Sequence, residues 1–414
     1  MKYFILLLCW FQLAHAEWPG FRGDGSSTIS LPELPLEWSD QKNVQWRAKL
    51  KGGGQSSPVG VTGRVYVSSV GGDKKENLYL ECFDIARGKS LWEKTFQATQ
   101  TVEEVTDMIS RGAPTPVCDE NGVYAFYETG DLFGLDHSGN VMWERRIVTE
   151  FGEFVGGHGV GSSLVNTPEA LILLIDHDGP SYLIGIDKKT GKTRWKTERS
   201  SRVSWTTPLY ITHNGVEQLI VSSNGSVDSY QLSDGKQIWT VTGVSNNTVA
   251  SPSLDGDQII IGSSNPGDCM AIQLGGSGDV TDTHLRWRAA SVTSSFGSPL
   301  VYQKMVFFVN RAGVIQAVDS ETGSLLWQHR LPASTWASPL SAGERVYCFC
   351  KDGRTAVLKP DRSGPGELVI NALAVEETDR IYGYAVYPGR FVIRLERELI
   401  CIGFTAPTPE TKEP

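Results

Sequence analysis

The chain has 414 residues, of which 40% are hydrophobic, and its 38 Lys+Arg against 47 Asp+Glu give a formal net charge of −9. This balance argues against a nucleic-acid-binding protein, which needs a clustered positive field. Seven cysteines are too few for a disulfide scaffold at this length.

The first sixteen residues have the pattern of a signal peptide. Lys2 precedes an apolar run over residues 3–13, and Ala14-His15-Ala16 matches an A-x-A cleavage site. The run is too short for a transmembrane helix, and bulky Leu8 before Cys9 does not favour a lipid anchor. We therefore predict a signal peptide over 1–16 and a periplasmic or secreted mature chain without a transmembrane segment. Residues 17–42 are expected to form an extended N-terminal segment.

From residue 43 onward the chain repeats one pattern at intervals of about 40–50 residues. Each copy opens with a Ser/Thr-Pro pair, continues through short strands, turns at Asp-x-x-x-Gly and closes with Trp. The opening pairs are Ser57-Pro58, Thr115-Pro116, the degenerate Ser163-Leu164, Thr207-Pro208, Ser251-Pro252, Ser298-Pro299 and Ser338-Pro339. The segments between them are β-branched or aromatic and bounded by Gly, Asp or Asn, which predicts four strands per unit, as in a propeller blade.

The two ends of the repeat region complete each other. Three strand-like segments follow Tyr382 without a closing Trp strand, whereas residues 43–47 form a Trp strand without preceding partners. Pairing them would remove two exposed sheet edges. We therefore predict an all-β, eight-bladed β-propeller of four-stranded antiparallel blades over 43–404, in which the N-terminal strand closes the C-terminal blade. Residues 405–414, rich in Pro and charge, are expected to be a disordered tail.

The closing tryptophans are predicted to dock between neighbouring blades, where each ring buries roughly 150–250 Å². They are Trp46, Trp92, Trp143, Trp195, Trp239, Trp287 and Trp327.

The x-x-D-x-x-T-G-x-x-x-W phrase of residues 186–195, nearly repeated at 319–327, resembles the tryptophan-docking repeat of quinoprotein propellers. With its head segment over 18–23, the chain is similar to secreted bacterial PQQ-like (pyrroloquinoline-quinone-like) repeat propellers. The resemblance covers 43–404. It implies the fold but leaves the function open, because the family includes quinone-dependent dehydrogenases and cofactor-free scaffolds such as BamB.

Two features depart from the dehydrogenases of that family. Those enzymes usually carry a vicinal Cys-Cys ring over the quinone, and the nearest equivalent here is Cys348-Phe349-Cys350, whose two thiols would point to one face of a strand. The chain also has little length beyond its blades. A bridge between Cys82 and Cys401, which occupy matching repeat positions, stays open; otherwise the cysteines are expected to be buried small hydrophobes.

The residue three positions before each opening proline should lie at the mouth of the central channel. These residues are Gln55, Ala113, Gly161, Trp205, Val249, Phe296 and Trp336, with Tyr382 as the equivalent in blade eight. Four of the eight are aromatic, which suggests a half-aromatic funnel for a flat ligand or a sugar face. The alternative is that these rings only plug the channel.

Several polar residues near the predicted mouth could complete a site. His158, in a glycine-rich loop, could act as a base, ligand or hydrogen-bond donor, or be structural. Arg111, Arg199 and Arg202 could bind a carboxylate or form salt bridges between blades. The sequence Asp176-His177-Asp178-Gly179 resembles a metal-ligand cluster but predicts a hairpin turn, so no metal site is assigned.

Three functions are compatible with these patterns. The leading interpretation is a non-catalytic extracytoplasmic scaffold, expected to be monomeric, that binds a small ligand, a glycan or an envelope protein and needs no cofactor. The second is a quinone-dependent alcohol or sugar dehydrogenase using PQQ and Ca²⁺, and the third is a BamB-like outer-membrane assembly partner. Candidate ligand-binding residues are Trp205, Phe296, Trp336, Tyr382, His158, Arg111 and Gln55.

Overall fold

The computed structural model describes residues 18–30, 33–101, 112–157, 159–376 and 379–404. Its strands form eight sheets, each built on four antiparallel strands, and two of these sheets carry a fifth, parallel strand. The predicted eight-bladed β-propeller is therefore confirmed. Two helices of four and five residues are present in the described part of the chain, and neither is long or apolar enough to cross a membrane.

The blades are numbered in chain order and their strands run from the channel outward. Blade 1 contains Val59–Val61, Arg64–Gly71, Asn77–Asp84 and Ser90–Gln97; blade 2 contains Val117–Cys118, Val123–Phe126, Asp131–Leu135 and Val141–Arg146; blade 3 contains Val165–Asn166, Ala170–Ile175, Ser181–Asp187 and Thr193–Arg199; blade 4 contains Leu209–His213, Val216–Ser223, Gly225–Gln231 and Gln237–Val244.

Blade 5 contains Ser253–Asp255, Gln258–Ile261, Met270–Gln273 and Leu285–Arg288; blade 6 contains Leu300–Tyr302, Met305–Val309, Val314–Asp319 and Leu325–Arg330; blade 7 contains Leu340–Ala342, Arg345–Phe349, Arg354–Asp361 and Gly364–Ala372; blade 8 contains Gly383–Tyr387, Arg390–Arg394, Glu398–Gly403 and Val44–Lys49. Thr28–Ile29 and Gly278–Asp279 add short parallel strands to blades 7 and 4, and the helices are Ile147–Phe151 and Thr281–His284.

The ring closes as the sequence predicts. Val44–Lys49 pairs antiparallel with Glu398–Gly403, and Trp46 lies opposite Cys401. The orphan tryptophan strand is therefore the outer strand of blade 8. Both ends of the repeat region are held in one sheet, which leaves no unpaired edge at the join.

The core lies between consecutive blades and is fixed by the closing tryptophans. Six indole N–H groups donate to a backbone carbonyl in a turn of the next blade over 2.7–2.9 Å. In the repeat, the indole packs directly on the turn glycine of the next blade. A Cβ on Gly191, at φ +71°, would lie 2.6 Å from the indole of Trp143. The glycine and the tryptophan of the repeat therefore meet across blades.

Trp239 is the exception among these residues. Its indole nitrogen is buried with no hydrogen-bond partner among the described residues. Blade 5 replaces the usual turn with a longer connection that includes Gly278–Asp279 and Thr281–His284.

The N-terminal segment crosses the end of the ring. Trp18 exchanges two backbone hydrogen bonds with Gly60 of blade 1, and Pro19 accepts from Cys118 of blade 2. Thr28–Ile29 then pairs with the inner strand of blade 7. Between these points lies Arg22, which is 4% exposed.

The side chain of Arg22 joins blades 5 and 6 at the centre of the ring. Its Nη1 donates to Pro252 O at 3.1 Å, and its Nη2 donates to Ser253 Oγ at 2.7 Å and to Pro299 O at 2.9 Å. Burial lowers the pKa of this guanidinium to about 10. The segment thus braces blades 1, 2, 5, 6 and 7 against one another.

Candidate functional site

A ring of hydroxyl groups surrounds the channel where each repeat opens. The backbone N–H of one opening residue donates to the side-chain hydroxyl of the next over 2.9–3.1 Å. The series runs through Ser57, Thr115, Ser163, Thr207, Ser251, Ser298 and Ser338. Blade 8 has Gly383 there, and a Cβ on it would lie 2.1 Å from Ser57 Oγ. We call this ring the hydroxyl belt.

The belt divides the channel into a floor and a rim. Phe21 and Arg22 form the floor, and the eight residues three positions before the opening prolines, or equivalent to them, all line the same cavity. These eight residues are called the rim: Gln55, Ala113, Gly161, Trp205, Val249, Phe296, Trp336 and Tyr382. The cavity volume is about 80 Å³, which suits a few water molecules. The N-terminal segment makes the channel a shallow pocket closed at one end.

The aromatic rim residues pack on one another. Phe296 and Trp336 are stacked with centroids 4.5 Å apart and planes 14° apart, and Tyr382 meets Trp336 edge-on at 5.8 Å. Trp205 lies over Gly161 and donates its indole N–H to Gly159 O at 3.2 Å. All four aromatic residues are half-buried. They therefore form a semi-exposed aromatic surface above a small cavity.

Positive charge lies over one side of this surface. Lys351, in the turn between the second and third strands of blade 7, places Nζ 4.6 Å from the ring centroid of Phe296 and 4.9 Å from that of Trp336. Burial lowers the pKa of Lys351, and Arg380 and Arg311 lower it further. Both arginines therefore lie close enough to act on the charge of Lys351.

Acidic groups act on the rim beside Trp336, at Tyr382. Burial raises the pKa of Tyr382, and the charge of Glu396 together with a hydrogen bond to it raises it further. Deeper in blade 1, Glu81 is 4% exposed, accepts from Ser69 Oγ at 3.2 Å, and has a pKa raised mainly by burial. Arg380 lowers the pKa of Tyr382 as well as that of Lys351, so cationic and acidic groups lie together beside Tyr382.

Two of the predicted site residues, Arg111 and His158, lie outside the described residues. Arg199 forms a buried network between blades 3 and 4, with Nε 3.0 Å from Asp176 Oδ1 and Nη1 3.2 Å from Asp228 Oδ2. Arg202 donates to Ser226 Oγ at 2.6 Å. These two arginines join neighbouring blades.

The sequence Asp176-His177-Asp178-Gly179 forms the turn between two strands of blade 3. The His177 ring faces Pro180 O at 3.0 Å from Nε2, and Asp176 is engaged by Arg199. Among the described residues, no group of three or more His, Cys, Asp or Glu side chains could hold a metal ion.

The six described cysteines are free and buried, so Cys82 and Cys401 do not form the bridge left open by the sequence. Both are core residues of the sheets; burial raises the pKa of each thiol to about 12. Cys348 and Cys350 share one core cluster between blades 6 and 7 and are not among the residues that line the rim cavity.

The described residues do not fit a quinone cofactor. A pocket for a ligand of that size class is usually about 300–1,000 Å³, whereas the rim cavity is about 80 Å³. Phe296 and Trp336 are stacked on each other, so they are not parted to hold a flat ring between them. No reaction step through such a group is derived.

Sequence reasoning missed three features of the site: the hydroxyl belt, Arg22 and Lys351. The belt had a visible signal, because a hydroxyl residue recurs at the same repeat position in seven units. Arg22 and Lys351 had none, because each occurs once and depends on how distant turns meet.

The fold, the docked tryptophans and the closed channel define an eight-bladed PQQ-like repeat propeller. The chain belongs to the family described as outer membrane protein assembly factor BamB, which matches residues 36–156, 156–282 and 277–364. BamB from Moranella endobia (strain PCIT) is 27% identical over 241 residues, covering 57% of this chain and 54% of that protein. The chain thus spans about half the length of that relative.

Solved structures share the architecture. BamB from Moraxella catarrhalis has a TM-score of 0.62 at 12% identity, covering 88% of this chain and 98% of that one. Quinohemoprotein alcohol dehydrogenase ADHIIG from Pseudomonas putida HK5 has a TM-score of 0.65 at 10% identity, covering 96% and 83%. The computationally designed Ika8 protein has a TM-score of 0.60 at 12% identity, covering 86% and 99%. At these identities the likeness shows the fold alone.

Proposed function

We propose that the chain is a non-catalytic binding module of the cell envelope that holds a partner protein on its rim face. The observation that carries this proposal is the half-buried aromatic surface of Trp205, Phe296, Trp336 and Tyr382 above a cavity of about 80 Å³. A cavity of that size excludes an enclosed substrate but leaves the aromatic surface available to a macromolecule. Aromatic residues are enriched in the centres of protein interfaces and supply most of their binding energy.

Two further features support a protein partner. The propeller is a rigid ring in which the hydroxyl belt, the docked tryptophans and the N-terminal segment fix the rim, so little ordering cost is expected on binding. The family is described as an outer membrane assembly factor, and we extend to this chain the role of assembling with envelope proteins. The predicted signal peptide, which lies outside the described residues, would place the module in the same compartment.

Site-specific photocross-linking in the native envelope tests this proposal. The photoreactive residue p-benzoylphenylalanine would replace Val249 or Ala113, two non-aromatic rim positions. Matched controls would carry it at Leu325, which is 42% exposed on the outer strand of blade 6, and at Lys236, in a turn on the face opposite the rim. Because adducts are identified by mass spectrometry, each position reports which protein it contacts.

We expect one envelope protein to cross-link at Val249 and Ala113 and not at Lys236. Addition of an excess of purified wild-type propeller to the solubilised extract should reduce the adduct, since the two compete for one partner. Adducts confined to Leu325 or Lys236, or none at either rim position, would contradict a partner-binding rim.

A further inference from the structure

The outer strand of every blade is a sheet edge, whose outward backbone N–H and C=O groups offer hydrogen bonds to an added strand. Proteins protect such edges with charged side chains, above all Lys, and six of the eight outer strands of the described propeller contain Lys or Arg. The two that contain neither are Gln237–Val244 of blade 4 and Gly364–Ala372 of blade 7. These two edges are therefore the least protected in the ring.

Blade 4 covers its edge with a segment of its own chain. Gly278–Asp279 pairs parallel with the outer strand. Beyond this pair, Val280 N donates to Thr240 O at 2.9 Å, and Thr242 N donates to Thr281 Oγ1 at 2.9 Å. The fold thus satisfies an outer edge that lacks basic residues by adding a segment of chain to it.

The edge of blade 7 has no such cover in the described part of the chain. Gly364–Ala372 is the last strand of its sheet, and with nine residues it is the longest of the outer strands. Pro365 and Glu367 protect only its first half, and residues 368–372 carry no charge. The second half of this edge is therefore open to pairing.

On the face toward blade 6, the strand offers apolar side chains to a neighbour. Leu368 and Ile370 are 38% and 45% exposed. They lie opposite Leu358 and Ala356, which belong to the core between blades 6 and 7. An added strand would place its own side chains beside this exposed pair, where cross-strand contacts stabilise a sheet.

On the face toward blade 8, a cavity of about 480 Å³ lies beside the same strand. Arg345 and Leu36 line this cavity; Arg345 Nη2 is 2.8 Å from Glu367 Oε2, and Leu36 O accepts from Asn371 Nδ2 at 2.9 Å. The apolar residues that line the cavity are Leu34, Leu36, Ala342, Tyr347 and Phe404. The cavity therefore follows the strand from residue 367 to residue 371 and has room for apolar side chains.

We propose that the outer edge of blade 7 binds an extended strand of a partner protein over residues 367–372. The backbone of that strand continues the sheet, and its alternate side chains contact Leu368 and Ile370 on one face and enter the cavity on the other. In such additions the backbone hydrogen bonds supply affinity and the side-chain pockets supply specificity.

Charge decides between a different protein and a second copy of this chain. Two copies, each with a net charge of −9, repel one another, whereas a segment with basic residues at its ends is attracted. The edge lies on the outer wall of the ring, apart from the rim, so this inference goes beyond the proposed function.

The test is peptide binding to the full chain, measured by anisotropy. The probe is a fluorescein-labelled peptide of alternating Val and Thr residues with Lys at both ends. Its matched twin has the same side chains and is N-methylated along the backbone, so it cannot donate to an edge. Ile370→Lys places a basic residue on the edge, and Leu91→Lys is its control, because Leu91 is 47% exposed on the outer strand of blade 1, which already contains Lys94.

We expect the peptide to bind and its N-methylated twin to bind at least about tenfold more weakly, since the backbone hydrogen bonds are lost. Ile370→Lys should weaken binding at least about tenfold, and Phe404→Ala about threefold through lost apolar contact in the cavity. Leu91→Lys should leave binding unchanged. Thermal melting of each variant verifies folding.

Equal binding of the peptide and its N-methylated twin, equal effects of Ile370→Lys and Leu91→Lys, or failure of the peptide to bind at any soluble concentration would each overturn the inference. A dimer of the chain that Ile370→Lys abolishes, seen by sedimentation, would assign the edge to a second copy and overturn the partner strand. The rim is tested separately by cross-linking at Val249 and Ala113, so either proposal can fail while the other stands.

Discussion

Replacing Arg22 with Met should destabilise the whole ring, although Arg22 belongs to no blade. The guanidinium donates to Pro252 O, Ser253 Oγ and Pro299 O, and within its own segment to Ser27 Oγ at 3.1 Å and Ser26 O at 3.4 Å. Ser253 Oγ also donates to Pro299 O at 2.6 Å, so that carbonyl keeps a partner in the variant, whereas Pro252 O has no other recorded side-chain donor. One buried carbonyl, Pro252 O, is then left without its side-chain donor, at about 1–3 kcal/mol, and the charged hydrogen bonds are lost at about 1.5–3 kcal/mol each.

The Met variant no longer bears the free-energy cost of burying a guanidinium, and this offsets part of the loss. Burial of Arg22 lowers its pKa to about 10, which is the sign of that cost. We therefore expect a net destabilisation of about 3 kcal/mol. With an unfolding entropy of about 2.1 cal/mol/K per residue, a ring of this size loses roughly 4 °C in Tm for that free energy.

Differential scanning calorimetry of Arg22→Met against wild type measures the change. Arg286→Met is the matched control, because Arg286 is an exposed arginine on the outer strand of blade 5 and should move Tm by under about 1 °C. Equal Tm values for Arg22→Met and Arg286→Met would refute the role of the N-terminal segment as a brace.

Four other predictions concern the belt, the docked tryptophans, the buried carboxyl group of Glu81 and the cofactor. Thr115→Val removes the acceptor of the Ser57 N–H at nearly constant volume and should cost about 1–3 kcal/mol in urea unfolding; no loss would show that the belt is incidental. Trp143→Phe, which leaves Lys188 O without its donor, should destabilise more than Trp239→Phe, whose indole N–H has no recorded partner, by about 1 kcal/mol; the reverse order would refute the docking bond. The raised pKa of Glu81 means that the folded state holds this proton more tightly than the unfolded state does. Stability therefore falls as pH rises from the pKa of the unfolded state through that of the folded state. Glu81→Gln should flatten this fall in thermal melts between pH 4 and 7, and an unchanged slope would exclude Glu81 as the cause. Purified protein titrated with PQQ and Ca²⁺ should show no stoichiometric absorption band and no dye-linked alcohol oxidation, and saturable binding would overturn the cavity argument.

The fold could be predicted from the sequence because the repeat records contacts between blades. The turn glycine and the closing tryptophan recur together since each Trp rests on the glycine of the next blade, as Gly191 and Trp143 show. The unmatched Trp46 strand predicted ring closure for the same reason. The spacing of the repeat and the matching of its two incomplete end units can both be recognised in a single sequence.

The site could be predicted only in part. The positions of the rim residues follow the repeat, whereas the types of side chain there and their contacts do not. The repeat register located all eight rim residues, six by counting back from an opening proline and Gly161 and Tyr382 by equivalence. Whether Trp336 stacks on Phe296 or faces a ligand depends on side-chain packing. Lys351 reaches the rim from a turn whose sequence matches ordinary hairpins. Arg22 reaches the channel floor only because the N-terminal segment crosses the ring, and no repeat position marks that path.

Hydrogen–deuterium exchange of the intact propeller, with and without the protein cross-linked at the rim, tests most directly whether the rim is the binding face. Binding there should protect the loops that carry Phe296, Trp336, Lys351 and Tyr382, and should leave the turns of the opposite face, including Lys236, unchanged. Protection confined to the outer strands or to the opposite face would contradict it.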